Sequence, residues 1–392
     1  MGTVYKVPTS RHYRMQWVDE HGKRRRRTTG TSDKATAQQI LAKTEKEVAQ
    51  IRAGLRDPAA DAIASHAKET AQKWVDDFIA SLEVTHGTSN QHVADTRTQI
   101  EKIIAFAAVD SAAKLTGQHV VEYVSSRQKE GVSARTVQSY LVSIKAFSAW
   151  CVTNNRLPRD PLANIQSPSP ARDRRYQRRA LSHAEWVRLK IVTENGPTIR
   201  LIDGPERALL YELALVTGLR AKELKSLKRS SFVFTGSAPY VMLPSANTKN
   251  AKPAEQMLTR SLAVRLEKHL GNKLPSANAF SIRDLNRLAI VLKKDLESAR
   301  KQWIKEAKTV DEVAKRTASD FLCQESHEKK RLDFHALRYT CGAWLALAGI
   351  HAKQIQQVMR HSTIRLTLDT YGHLFPEQLT EAIEALEKAT AV

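Results

Sequence analysis

The sequence predicts a multidomain, mainly α-helical protein with small β elements, and three observations point there. Its 392 residues are too many for one ordinary domain and suit two or three, each burying its own core. Apolar residues recur at three- and four-residue spacing over most of the chain, as amphipathic helices require. Alternation of apolar and polar residues is confined to the front end and to a short run around Tyr240 to Leu243.

In chain order, Tyr13, Met15 and Trp17 alternate with polar neighbours before a break at His21-Gly22, which predicts a small hairpin sheet. The basic run Lys23, Arg24, Arg25, Arg26 and Arg27 falls on the strand after that turn. Side chains there splay to both faces, so at least half must meet solvent or phosphate. Ile40, Leu41, Val48 and Ile51 predict a helix over 34–53, closed by Gly54.

A second unit, 65–165, reads as helices throughout, on the repeats Trp74, Phe78 and Leu82, then Ile100, Ile103 and Ile104, then Val120, Val121 and Val124. Its last helix, 134–152, places Val137, Leu141, Ile144, Phe147 and Trp150 on one stripe. Arg135, Gln138, Ser139 and Lys145 lie on the polar face, which can front a DNA groove or only water. Residues 166–179 join helix-breaking Ser-Pro-Ser-Pro to Arg172, Arg174, Arg175, Arg178 and Arg179 and read as a basic linker.

Residues 180–392 form a larger, mainly helical domain. Within it the Lys-rich stretch 282–330 looks like an insertion with a solvated face. The end of the chain, 376–391, has the pattern of an amphipathic helix with Leu379, Ile383 and Leu386 on its apolar side.

Lys and Arg outnumber Asp and Glu by 62 to 41, a formal charge of +21. That excess makes nucleic acid the first candidate partner, because basic side chains displace the counterions condensed on a polyphosphate. No apolar run approaches the roughly 18 residues of a spanning helix, so a membrane is not expected. The first ten residues lack the apolar core of a signal peptide, and a cytoplasmic, nucleoid-associated location is the expectation. Cys151, Cys323 and Cys341 are widely spaced and odd in number, which offers neither a disulfide framework nor a zinc-ligand spacing. With no Gly-rich phosphate loop and no acidic cluster suited to magnesium, no cofactor is expected.

Cleaving a phosphodiester without a metal demands a nucleophile, cations to offset charge on phosphorus, and an acid for the departing oxygen. In Thr217-Gly-Leu-Arg220-Ala-Lys-Glu223, a helix breaks at Gly218 and resumes with Arg220 at its start, where Glu223 can orient it. Leu224 and Leu227 point inward from the second helix. His335-Ala-Leu-Arg338 puts an imidazole and a guanidinium on one helix face, where they can share a phosphate. His361 then opens a polar turn and a short helix ending in Tyr371, read as exposed.

In order and spacing these boxes resemble the signature of the tyrosine recombinase family, the integrases of temperate phages and mobile elements. The resemblance implies a three-part layout: an arm-type DNA-binding domain at 1–58, a helical core-binding domain at 65–165 and a catalytic domain at 180–392. It also implies that Arg220 and Arg338 bind the scissile phosphate, that His335 and His361 complete the cage, and that Tyr371 attacks. The family's active-site lysine lies on a hairpin that Asn247-Thr-Lys249-Asn-Ala-Lys252 resembles, with Lys249 the match and Lys252 the fallback. The implied partners are double-stranded DNA at attachment sites, further copies of the chain in a tetramer on DNA, and accessory DNA-bending or excision factors. A type IB topoisomerase and a DNA-binding regulator with a vestigial site are the alternatives. One departure stands out: Met359-Arg360 precede His361 where the family usually has Leu-Gly, so an arginine replaces the residue that relaxes that turn.

Overall fold

A computed structural model of the chain describes residues 2–85, 89–169, 173, 177–236, 238–244 and 253–375. The chain divides into two compact units, 1–175 and 176–392.

The first unit opens with strands β1 (Thr3–Lys6), β2 (Tyr13–Val18) and β3 (Arg24–Thr28), which form an antiparallel sheet in that order. Gly22, at φ +80°, makes the turn expected between the second and third strands. Met15 is fully buried, and helix α1 (Lys34–Arg52), with Ala37, Leu41 and Val48 buried, packs on β2. Every residue of β3 is exposed. Its arginines are partly tied down on the sheet: Arg25 Nε donates to Asp19 at 2.7 Å, Arg26 Nε to Gln16 at 3.0 Å, and the Arg27 guanidinium lies 5.8 Å from the Trp17 ring.

Helix α2 (Pro58–His66) fills the stretch between the two expected domains. Its signal was present, since Asp57 accepts the Ala59 N–H at 2.8 Å as N-cap and Pro58 starts the helix. Helices α3 (Ala71–Thr85), α4 (Asn90–Ala107), α5 (Gly117–Lys129) and α6 (Ala134–Thr153) bury one core from Trp74, Phe78, Ile100, Ile103, Val120, Val137, Leu141, Ile144 and Phe147. Arg135 is exposed on α6. Lys145 is partly committed, its ammonium donating to the Ile165 carbonyl at 2.9 Å.

The first strand of the second unit starts one residue after the unit itself. Strand β4 (Gln177–Arg178) pairs in parallel with β8 (Lys330–Arg331). Arg178 and Arg179 therefore belong to this unit rather than to a linker of like charges. Arg178 Nε and Nη2 grip Asp333 at 2.8 and 2.6 Å, and Arg179 grips Glu185 at 2.8 and 2.9 Å. Arg172, Arg174 and Arg175 lie outside the described residues.

Around one core stand α7 (His183–Glu194), α8 (Gly204–Thr217), α9 (Ala221–Ser226), α10 (Arg260–Leu270), α11 (Leu285–Lys305) and α13 (Phe334–Leu347). Helix α12 (Val310–Ala318) follows α11. Strands β5 (Phe232–Val233), β6 (Tyr240–Leu243) and β7 (Ala254–Met257) make an antiparallel sheet with Leu243 opposite Ala254; β6 is the short strand expected, β6 and β7 flank the stretch that resembles the family's hairpin, and β5 was not foreseen. Helices α14 (Ala352–Met359) and α15 (Ile364–Tyr371) close the described chain.

The stretch read as an insertion is not peripheral. Leu288, Leu292, Leu296 and Ala299 of α11 belong to the core, and Asp295, 3% exposed, takes Arg207 Nε at 2.9 Å, Arg207 Nη2 at 3.1 Å and the Tyr211 hydroxyl at 2.7 Å. A buried ion pair holds best when its remaining donors are also satisfied, and the carbonyls of Pro197 and Ile202 take both hydrogens of Arg207 Nη1. Among the described residues no helix is long and apolar enough to cross a membrane.

Candidate active site

Helix α8 stops where Gly218 turns left-handed at φ +61°, and the backbone restarts as α9 with Arg220 at its N-cap. Glu223, 2% exposed, accepts the Arg220 backbone N–H at 2.8 Å and Arg220 Nη1 at 2.9 Å. One carboxylate thus caps the helix and aims the guanidinium, the arrangement the three-residue spacing predicts.

Asp333 caps α13, accepting the Ala336 N–H at 2.9 Å, and sets His335 and Arg338 on its first turns. Arg338 is 4% exposed and donates to the carbonyls of Gly218 and Met359. It thereby ties the break after α8 to the end of α14 and still has donors to spare. Burial, then the charges of Arg220 and Arg360, push it down to about 10. His335 is exposed. The protein packed around it, then the charges of Arg178 and Arg338, push it down to about 4. Water at the open edge screens part of that effect.

His361 follows α14 and is half-buried, its Nδ1 3.0 Å from Thr367 Oγ1, which leaves Nε2 for another partner. Burial, then Arg338 and Arg220, push it down to about 4. Both imidazoles are therefore uncharged at neutral pH.

Tyr371 was expected to be exposed and is instead 2% exposed. Its ring lies 5.4 Å from that of Tyr339 and 6.3 Å from that of His361, nearly parallel to the latter at 7°. It rests on Gly342 of α13, where an added Cβ would collide with Tyr371 Cζ. Sequence spacing could not show that seat, because the glycine belongs to a different helix. Burial raises the phenol above its ordinary value, while the charge of Arg338 pulls it back down.

The second unit thus gathers Arg220, His335, Arg338, His361 and Tyr371. Arg338 feels the charge of Arg220, and His361 those of Arg338 and Arg220. Lys249 and Lys252 lie outside the described residues, on the connection between the antiparallel strands β6 and β7. The terminal stretch 376–391 also lies outside them. Lys23 to Arg27, Arg135 and Lys145 are in the first unit. Sequence reasoning missed Arg178 with Asp333, which steadies the start of α13, and it did not foresee what Arg360 holds. That residue completes the turn before His361 at φ +51° and binds Glu223 at 2.5 Å.

Comparison with known proteins gives matches of family and fold. Residues 198–378 match the phage integrase family, and residues 75–155 match the phage integrase N-terminal SAM-like domain. Tyrosine recombinase XerC of Corynebacterium glutamicum is 24% identical over 338 residues, which cover 84% of this chain and 97% of that protein. XerC of Xylella fastidiosa is 31% identical over 160 residues, 40% of this chain and about half (51%) of that protein's length.

Among solved structures, a lambda integrase dimer bound to a COC' core site matches with a TM-score of 0.57 at 17% identity, over 94% of each chain. A lambda integrase tetramer on a Holliday junction matches at 0.54 and 17% identity, over 92% of this chain and 95% of that one. The Tn1549 transposon integrase in complex with transposon right end DNA matches at 0.55 and 16% identity, over 81% and 99%. At such identities the structural likeness is one of fold.

Proposed function

The chain belongs to the phage integrase family of tyrosine recombinases, and on that basis we propose that it integrates or excises a phage or other mobile element through a phosphate ester on Tyr371. One observation carries the reading: two guanidiniums, two uncharged imidazoles and a phenol from four separate stretches of sequence meet in a single compact unit.

In the proposed reaction Arg220 and Arg338 take the non-bridging oxygens of the scissile phosphate as planar forks. Glu223 fixes the first, and the carbonyls of Gly218 and Met359 fix the second. A free tyrosine titrates near 10 and attacks poorly at neutral pH. His335, uncharged, accepts the phenol proton as Tyr371 Oη bonds to phosphorus, and His361 donates to the developing oxyanion. Lys249 gives a proton to the 5′ oxygen as the P–O5′ bond breaks. A 3′-phosphotyrosyl and a free 5′ hydroxyl remain. Attack by the 5′ hydroxyl of a second duplex remakes the phosphodiester and releases the tyrosine, so the ester conserves the bond energy and no ATP is consumed. Because Tyr371 is buried over Gly342, the cycle includes a step that exposes its hydroxyl.

The partners follow from the same reading. Double-stranded DNA at an attachment site is the substrate, with Lys23 to Arg27, Arg135, Lys145, Arg172, Arg174 and Arg175 as its proposed contacts. The free protein is a monomer and four copies assemble on synapsed sites, with accessory bending or excision factors setting direction. The three proposed domains divide this work: 1–58 on arm sites, 65–165 on the core site and 180–392 in chemistry. A nicked suicide substrate tests the function. Wild type should accumulate a covalent protein–DNA adduct and exchange strands between two sites, whereas Tyr371→Phe should bind DNA and form none. Supercoil relaxation without exchange would reassign the chain as a topoisomerase, and binding without any adduct would leave only a regulator.

A further inference from the structure

We propose that Arg360 is a positioning residue for strand cleavage, clamping the Arg220 turn and strand β7 to the turn that carries His361. The inference rests on the recombinase reading above and adds to it a residue at which this chain departs from the family's pattern.

Arg360 ends α14 in a left-handed conformation, φ +51°, that is unfavourable for a residue with a Cβ and that glycine adopts freely. Its guanidinium spans three separate pieces of the unit. Nη2 donates to Glu223 Oε2 at 2.5 Å, while the other oxygen of the same carboxylate holds Arg220 Nη1 at 2.9 Å. Nη1 lies 3.1 Å from the side-chain oxygen of Gln256, once that amide is oriented so that its nitrogen donates to the carbonyls of Thr217 and Val358 at 3.2 and 3.3 Å. Gln256 sits on β7, the strand that follows the connection bearing Lys249.

The clamp therefore joins the start of α9, the sheet that leads to the lysine and the turn before His361. Glu223 and Gln256 are both buried, at 2% and 7% exposure, so water does not compete for these bonds. A glycine could make none of them. A lysine would bring the charge but not the fork that meets two acceptors at once.

The test compares Arg360→Gly, Arg360→Lys, Glu223→Gln and the double variant Glu223→Gln with Arg360→Gly. Single-turnover cleavage of the suicide substrate, DNA affinity and melting temperature are measured for each. Arg360→Gly relaxes the backbone and should keep its fold and its DNA affinity, yet cleave about 10- to 100-fold more slowly, the loss expected from a misplaced catalytic group. Arg360→Lys should recover part of that loss. In the double variant the glycine should add less to the Glu223→Gln defect than it costs alone, because both act through Arg220.

Wild-type cleavage by Arg360→Gly, or a defect that multiplies in full with Glu223→Gln, would overturn the inference. Should Arg360→Gly fail to fold, the same cycle is read with Arg360→Lys, and the same two outcomes decide. If wild type itself formed no adduct, the recombinase reading would fall instead.

Discussion

Arg220, His335, Arg338 and His361 place two positive charges beside two rings that desolvation first, and then nearby arginine charges, keep neutral. The consequence for stability has a definite sign. Well above 6.5 the imidazoles are neutral in folded and unfolded chains alike, so they contribute no pH dependence there. As pH falls from there toward 4 the unfolded chain takes up protons that the folded chain refuses, and stability drops. The melting temperature should therefore fall with acid over that window. It should fall less in His361→Asn, which has nothing there to titrate.

Glu223 was legible in the sequence because its partner lies three residues away on the same helix. The burial of Tyr371 was not, since its seat is a glycine on α13 and no local spacing connects the two. The role of Arg360 was hidden for the same reason: its carboxylate partner is 137 residues distant.

The helices carry two further predictions. Gly342→Ala in the interior of a helix would ordinarily stabilise by about 1 kcal/mol. Here the new Cβ meets the Tyr371 ring, so denaturant unfolding should show a loss of about 1–3 kcal/mol. Asp295→Ala would strand the fully buried Arg207 charge and should cost about 3–5 kcal/mol by the same measurement.

Most helices were legible from apolar spacing, and the turns at Gly22, Gly54 and Gly218 fall where glycine was read as a breaker. Helix α11 was underrated because its lysines suggested a solvated face. Its buried stripe of Leu288, Leu292, Leu296 and Ala299 has ordinary helical spacing, but the stripe is interrupted by Asp295, whose partner Arg207 is 88 residues away. Arg178 and Arg179 looked like free linker charge because Asp333, the partner of the first, is 155 residues downstream.

Across the whole chain the excess of 62 basic over 41 acidic residues marks a protein drawn to polyanions. If Lys23 to Arg27 on and beside the exposed strand β3 bind phosphates, replacing all five with serine should weaken binding to DNA that carries the arm sites. The log–log salt dependence should then flatten by about 0.9 for each phosphate that is no longer neutralised. An unchanged slope would make that strand a solvated face.

All of the proposed chemistry depends on Tyr371 forming the covalent bond to DNA, and peptide mass spectrometry of the trapped adduct reads that bond itself. A 3′-phosphate is expected on the peptide containing Tyr371 and on no other. A phosphate mapped to the neighbouring Tyr339, or to any other side chain, would refute the assignment.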